Sequence, residues 1–356
     1  MTTEKRYEEQ LQAAIDGIRP FNKAYARRAR QHSDGLTKPP GSLGRLEDLA
    51  AQLAGITGEL WPELSRKAVI VMAADHGVCE EGVSAFPSSV TPLMVHNFLA
   101  GGAAVNVLAR QAGAEVVCVD VGVAAELEHP MLLSRKVMMG THNMAKGAAM
   151  NREQALQAIL TGIEVVSSQA EQGVRLFATG EMGIGNTTAS AAIASVLAEL
   201  SPEQAVGRGT GISDEALAHK VKVVQRAIAV NDPDRNDPVD VVAKVGGLEI
   251  AGLAGVYIGA AMRGCPVVVD GFISSAAALV ALKLAEGVRP YLIASHLSHE
   301  QGHRLLLEKL GLQPMVQLGM RLGEGTGAVL AFHYVEAALR LMQEMATFED
   351  IGLENS

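Results

Sequence analysis

Four short runs of apolar, largely β-branched residues constrain the fold more than any other feature: residues 67–77 (KAVIVMAADHG), 114–122 (AEVVCVDVG), 174–183 (VRLFATGEMG) and 266–271 (PVVVDG). Their apolar residues run on without alternation, which fits strands covered on both faces. Helical patterns such as TASAAIASVLAEL and SSAAALVALKLA lie between them. Strands alternating with helices build a mostly parallel sheet with helices on both faces, so the expected class is α/β. Residues 1–60 and 328–356 carry amphipathic helical patterns without strand signals. They are expected to pack together as a small helical domain beside an α/β domain spanning 61–327.

Each run ends in an acid or an acid–histidine pair beside glycine: Asp75 with His76, Asp120, Glu181 and Asp270. In open parallel sheets the ligand crevice lies outside the carboxyl ends of the strands. Asp75, His76, Glu181 and Asp270 are therefore expected around one cleft, whereas Asp120 suits a turn cap. The third run leads into GEMGIGNTT, which delivers Gly183, Gly185, Asn186 and Thr187 to the start of a helix. Unpaired amides and the positive dipole end there favour a phosphate, unless Asn186 or Thr187 merely caps the helix. Neither a GxxxxGK[ST] loop nor a GxGxxG after the first strand is present, so a monophosphate fits better than ATP or a dinucleotide. A second glycine-rich segment, GRGTGIS (207–213), contributes Gly209, and Lys220 downstream offers the phosphate a cation unless it is an ordinary solvated helix lysine.

Near the end of the chain, Gly323 and Gly325 flank Glu324 in MRLGEGTGA, ahead of another helical pattern. Either this is a turn carrying a solvated glutamate, or the glycines let something approach the backbone closely. The segment HEQGH (299–303) fits the HExxH zinc pattern, but it falls in a helix's first turn and no downstream HxxGxxH supplies a third ligand. No metal is expected.

A net charge of −9 and a pI near 5.6 argue against a nucleic-acid surface, and the partners are expected to be small molecules. Cys79, Cys118 and Cys265 are few, odd in number and far apart, which suits reduced thiols in the cytoplasm. The N-terminus is charged rather than signal-like, and no apolar run is expected to span a bilayer.

Taken together, LTKPPGSLGRLE (36–47), AADHGV, GEMGIGNTT, KVGGLEIAGLAG (244–255), DGFISSAAAL, RPYLIASHLS and MRLGEGTGA resemble, in order and spacing, the nicotinate-nucleotide:dimethylbenzimidazole phosphoribosyltransferases over nearly the whole chain. The resemblance implies transfer of 5-phosphoribose from nicotinate mononucleotide to the base that becomes a cobamide lower ligand, with inversion to the α-glycoside. It also implies a Rossmann-like large domain, a dimer of identical copies or with a close paralogue, and no metal or other cofactor. Glu324 matches the family's catalytic glutamate, a general base for the acceptor, and Glu181 is a second carboxylate for ribose hydroxyls or for positive charge on the sugar. Gly183, Gly185, Asn186, Thr187, Gly209 and Lys220 would hold the ribose phosphate, with Ser298, Gly323 and Gly325 at the acceptor pocket. A transferase using phosphoribosyl pyrophosphate would call for an acidic pair after a strand, and the sequence contains no DD. A noncatalytic paralogous subunit is the other alternative, and the retention of Glu181 and Glu324 argues against it.

Aligned with the family, Phe86, Met94 and Met182 fall at the acceptor wall, where benzimidazole-using members carry a smaller or polar residue, a glutamine and a leucine. A bulky ring and two thioethers imply a narrower, more apolar pocket, open to phenol or p-cresol as well as dimethylbenzimidazole, unless the three are ordinary core residues.

Overall fold

A computed structural model of the chain describes residues 2–209 and 211–353. Three helices come first, α1 (Thr3–Asp16), α2 (Lys23–Asp34) and α3 (Arg45–Thr57), followed by β1 (Lys67–Ala74), α4 (Val90–Leu99), α5 (Ala104–Ala112), β2 (Ala114–Gly122) and β3 (Leu133–Ser134). Next come α6 (Arg152–Glu171), β4 (Leu176–Met182), α7 (Asn186–Leu197), α8 (Pro202–Ala205), α9 (Asp214–Asn231), α10 (Pro238–Val245) and α11 (Leu248–Arg263). The chain closes with β5 (Val267–Val269), α12 (Phe272–Leu284), β6 (Leu292–Ala294), α13 (His303–Leu310) and α14 (Thr326–Glu344).

All strand pairs are parallel, in the order β3-β2-β1-β4-β5-β6. The fold is therefore α/β with a mostly parallel sheet, as expected. The four expected runs form β1, β2, β4 and β5. β3 and β6 have only two and three residues, too short for any hydrophobic period.

The pleat of β1 divides the core. Ala68, Ile70 and Met72 point into a cluster with α6, α7, α11 and α12, while Val69, Val71 and Ala73 meet α3, α5 and α14 on the other face. Such strands can hold only apolar residues along their length, which is why the runs are continuous. α6 and α11 approach so closely that a Cβ on Gly162 would overlap the Gly252 carbonyl. α2 and α3 pack with α14, and Thr37 N–H donates to the Ala346 carbonyl at 3.0 Å, whereas α1 lies against α6 and α11.

One stretch, Val90–Ala112, is long and apolar enough by length and composition to cross a membrane, against the sequence expectation. The chain turns within it at Gly101, whose φ of +76° ends the helical path, and the separate helices α4 and α5 pack against β2.

Candidate active site

Strand order reverses between β1 and β4, and a crevice opens at such a switch point outside the strand carboxyl ends. A cavity of about 390 Å³ lies there, with Glu181, Gly183, Asp270 and Glu324 among its lining residues.

Glu324 is buried and has φ of +63°, between Gly323 at +83° and Gly325 at +90°. Three left-handed residues in succession form a tight turn, and the non-glycine one costs about 1–2 kcal/mol. Carboxylates from two other strand ends hold it: Glu324 N–H donates to Glu181 Oε1 at 3.2 Å and Gly325 N–H donates to Asp270 Oδ2 at 3.2 Å. The glycines serve the protein as much as any ligand. A Cβ on Gly323 would overlap Glu181 Oε1, and one on Gly325 would lie 2.7 Å from Val69 Cγ2. Among the described residues, the buried Glu324 Oε2 has no hydrogen-bond partner. Burial, helped by the nearby Asp270 carboxylate and opposed by the Val105 amide, pushes the Glu324 carboxyl up to about 7. Burial therefore outweighs the amide.

Glu181, at the end of β4, accepts a hydrogen bond from the Asn186 side-chain amide. Burial pushes its carboxyl up to about 8, against the pull of the Glu324 and Asn186 donors. Asp270 caps α14 from a different strand: its Oδ1 accepts the Ala328 amide at 2.9 Å, in place of any side-chain cap at Gly325. Burial raises its pKa, opposed first by the adjacent His296.

At the other end of the cavity, Gly185 has φ of +95° and starts α7 with no side-chain cap, so Asn186 and Thr187 do not cap it. The uncapped helix start faces the cavity through Gly183, Gly185, Asn186 and Thr187, and Gly209, from the loop before α9, lines it beside them. Lys220, on α9, is buried behind Thr187, with Nζ donating to Thr187 Oγ1 at 2.7 Å and to the Gly207 carbonyl at 3.3 Å. Burial lowers its pKa to about 8. A solvated lysine is ruled out. Thr210, in the same glycine-rich segment, lies outside the described residues.

Residues 18–353 match a family model described as a phosphoribosyltransferase. A nicotinate-nucleotide–dimethylbenzimidazole phosphoribosyltransferase of Desulforudis audaxviator is 54% identical over 347 residues, 97% of this chain and 98% of its own. The protein of the same name from Chloroflexus aggregans is also 54% identical, over 96% of this chain and 98% of its own. The crystal structure of CobT from Thermus thermophilus superposes with a TM-score of 0.90 at 50% identity, covering 94% of this chain and all of that one. This chain belongs to the nicotinate-nucleotide–dimethylbenzimidazole phosphoribosyltransferase family.

In this phosphoribosyltransferase, Phe86, Met94 and Met182 lie on one wall of the cavity, with Val83 and Val90 beside them. Phe86 is 54% exposed, so it is not an ordinary core residue. Ser298 and Gly323 also line the cavity, while Gly325 is packed behind it against β1 and β4.

Asp75 and His76 do not line the cavity. Asp75 Oδ2 accepts the Ala124 amide at 2.8 Å, and His76 Nε2 meets Glu249 Oε1 of α11 at 2.6 Å. Burial disfavours the imidazolium, but the Glu249 and Asp75 carboxylates outweigh it and hold the His76 pKa above the usual value. Asp75 ties the end of β1 to the segment after β2, and His76 ties it to α11. Asp120 accepts the Gly122 and Val123 amides, the turn cap expected of it.

HEQGH does not form a helical pair of ligands, because α13 begins only at His303. Both ring nitrogens of His303 are engaged, Nδ1 by the Ser298 amide at 2.9 Å and Nε2 with Ser275 Oγ at 3.0 Å. Burial lowers its pKa to about 3, with His296 adding to the shift.

Sequence reasoning passed over Arg321 and His296, which both line the cavity. Each sits inside a segment singled out for another reason, MRLGEGTGA or RPYLIASHLS, and a cation two residues from Gly323 was the available signal for Arg321.

Proposed function

We propose that this enzyme transfers 5-phosphoribose from nicotinate mononucleotide to an aromatic acceptor, either dimethylbenzimidazole or a one-ring phenol such as p-cresol, giving an α-riboside 5′-phosphate and nicotinate. The names of the relatives support the donor and the benzimidazole. The observation that carries the reading is a buried carboxylate with one unpartnered oxygen among the described residues, Glu324, in one cavity with an uncapped helix start behind which a buried lysine, Lys220, is bonded to Thr187. The donor phosphate sits at Gly183–Thr187 with Lys220 behind it, and Arg321 adds a second cation for an anionic donor.

The acceptor nitrogen or oxygen attacks the anomeric carbon as the bond to nicotinate breaks, and the electron pair of that bond leaves on the nicotinate nitrogen. Glu324 accepts the acceptor's N–H or O–H proton. A carboxylate with a pKa near 7 is a better base than an ordinary surface glutamate, and its buried, unpaired oxygen is free for that proton. Glu181, on the sugar side, is placed for the ribose hydroxyls. A phenol holds its proton near pKa 10, so the proton passes to Glu324 as the bond forms.

The apolar wall of Phe86, Met94 and Met182 supports the phenol, which lacks the second ring nitrogen that a polar wall would orient. Purified enzyme given nicotinate mononucleotide with equal p-cresol and dimethylbenzimidazole is expected to yield both ribosides by mass spectrometry. Absence of the p-cresol riboside overturns the phenol reading, and absence of both overturns the donor. We also propose that the enzyme is a dimer.

A further inference from the structure

Lys220 differs from the other buried lysines. Lys38 pairs with Glu47 at 2.9 Å, and Lys67 pairs with Glu336, so each has a carboxylate in contact. Among the described residues, Lys220 hydrogen-bonds only to neutral oxygens, Thr187 Oγ1 and the Gly207 carbonyl. An ammonium taken out of water without an anion in contact is costly, and its lowered pKa reflects that cost.

The nearest balancing charge is Glu300. It lines the same cavity, and among the described residues its buried Oε2 has no hydrogen-bond partner. Its carboxylate rests on Gly207, so closely that a Cβ there would overlap Oε2, and Gly207 is the residue whose carbonyl accepts from Lys220. It is also the charge that holds Lys220 toward its ammonium form. A carboxylate and a phosphate cannot both sit beside one ammonium without like-charge repulsion in a poorly solvated place.

We propose that Glu300 is the resident counter-ion of the donor-phosphate subsite: it balances Lys220 while the subsite is empty, and the incoming phosphate displaces it. Glu300 lies on the loop between β6 and α13, next to the turn residues Gln301 and Gly302, so its side chain is not fixed by a helix or strand of its own. The same loop carries Ser298 on the cavity wall. Glu300 thereby sets how tightly the phosphate is held and how readily the product leaves. It is a specificity residue, and this also accounts for the glutamate of HEQGH, which serves no metal in this reading.

The inference rests on the proposed placement of the donor phosphate, and calorimetric titration separates the two. At pH 6, where Lys220 is charged, wild-type enzyme, Glu300→Gln and Glu300→Ala are titrated with inorganic phosphate, nicotinate mononucleotide and nicotinate riboside. The expected result is that both variants bind inorganic phosphate and nicotinate mononucleotide roughly fivefold or more tightly than the wild type, with riboside affinity unchanged. Tighter binding in the variants, with thermal melts within a few degrees of wild type, supports the counter-ion role. If wild type prefers the mononucleotide to the riboside but the variants bind phosphate no better, the Glu300 inference falls and the subsite stands. If wild type binds the riboside as well as the mononucleotide, the phosphate placement falls and takes the inference with it.

Discussion

Glu324 combines a strained backbone with a buried, unpartnered oxygen, and both features are unfavourable for folding. Such strain persists where the surrounding structure over-determines it, and here the Glu181 and Asp270 carboxylates grip the turn through its amides. Glu324→Gln keeps size and backbone, so it is expected to leave the melting temperature within a few degrees while lowering kcat by about two to four powers of ten. Unaltered turnover removes Glu324 from the mechanism. The pH profile follows from the same groups. A base must be unprotonated, so kcat/KM for the donor rises as pH climbs through about 7, the Glu324 value. A phosphate-binding lysine must be protonated, so the profile falls again above about 8, the Lys220 value. Glu181 also titrates near 8, and a Glu181→Gln variant that keeps the alkaline limb assigns that limb to Lys220.

At the scale of elements, the active turn is a seam between β4 and the start of α14. Gly180, inside β4, makes the seam possible, because a Cβ there would overlap the Glu324 carbonyl oxygen. Glycine in a strand interior is otherwise unfavourable, and its presence in FATGEM marks this close approach. Gly180→Ala is expected to destabilise the protein by about 1–3 kcal/mol through overpacking. It is also expected to displace Glu324, so that kcat falls at least tenfold while the donor phosphate site, on the far side of β4's end, binds with little change. A variant with normal kcat and a normal melt shows that the seam tolerates the methyl group. The same close-packing logic explains why β4 was legible in sequence as a buried strand, while the reason for its glycine was not. That reason lies in α14, far along the chain.

At the scale of the whole molecule, the acceptor wall is assembled from three places: Phe86 after β1, Met94 on α4 and Met182 at the end of β4. Replacing Phe86→Ser together with Met94→Gln opens the wall and supplies an amide. The expected outcome in competition assays is a shift of roughly tenfold toward dimethylbenzimidazole over p-cresol, the scale of one hydrogen bond. An unchanged ratio removes these side chains from acceptor choice. The sequence by itself determined the α/β class and its four main strands, because a strand buried on both faces must be apolar along its length. It also pointed to the Gly183–Thr187 turn and to Glu324, where glycines beside polar residues break the local pattern. Only the tertiary structure decided which strand-end acids face the cavity. Asp75 and Asp270 look alike in sequence, yet one ties down the Ala124 amide and the other caps α14 beside Glu324. The same holds for Arg321, His296 and Glu300, whose surroundings come from segments remote in the chain. The amide of Glu324 and the carboxylate of Glu181 meet across 143 residues, and such a contact is set by how helices close over the sheet rather than by any local pattern.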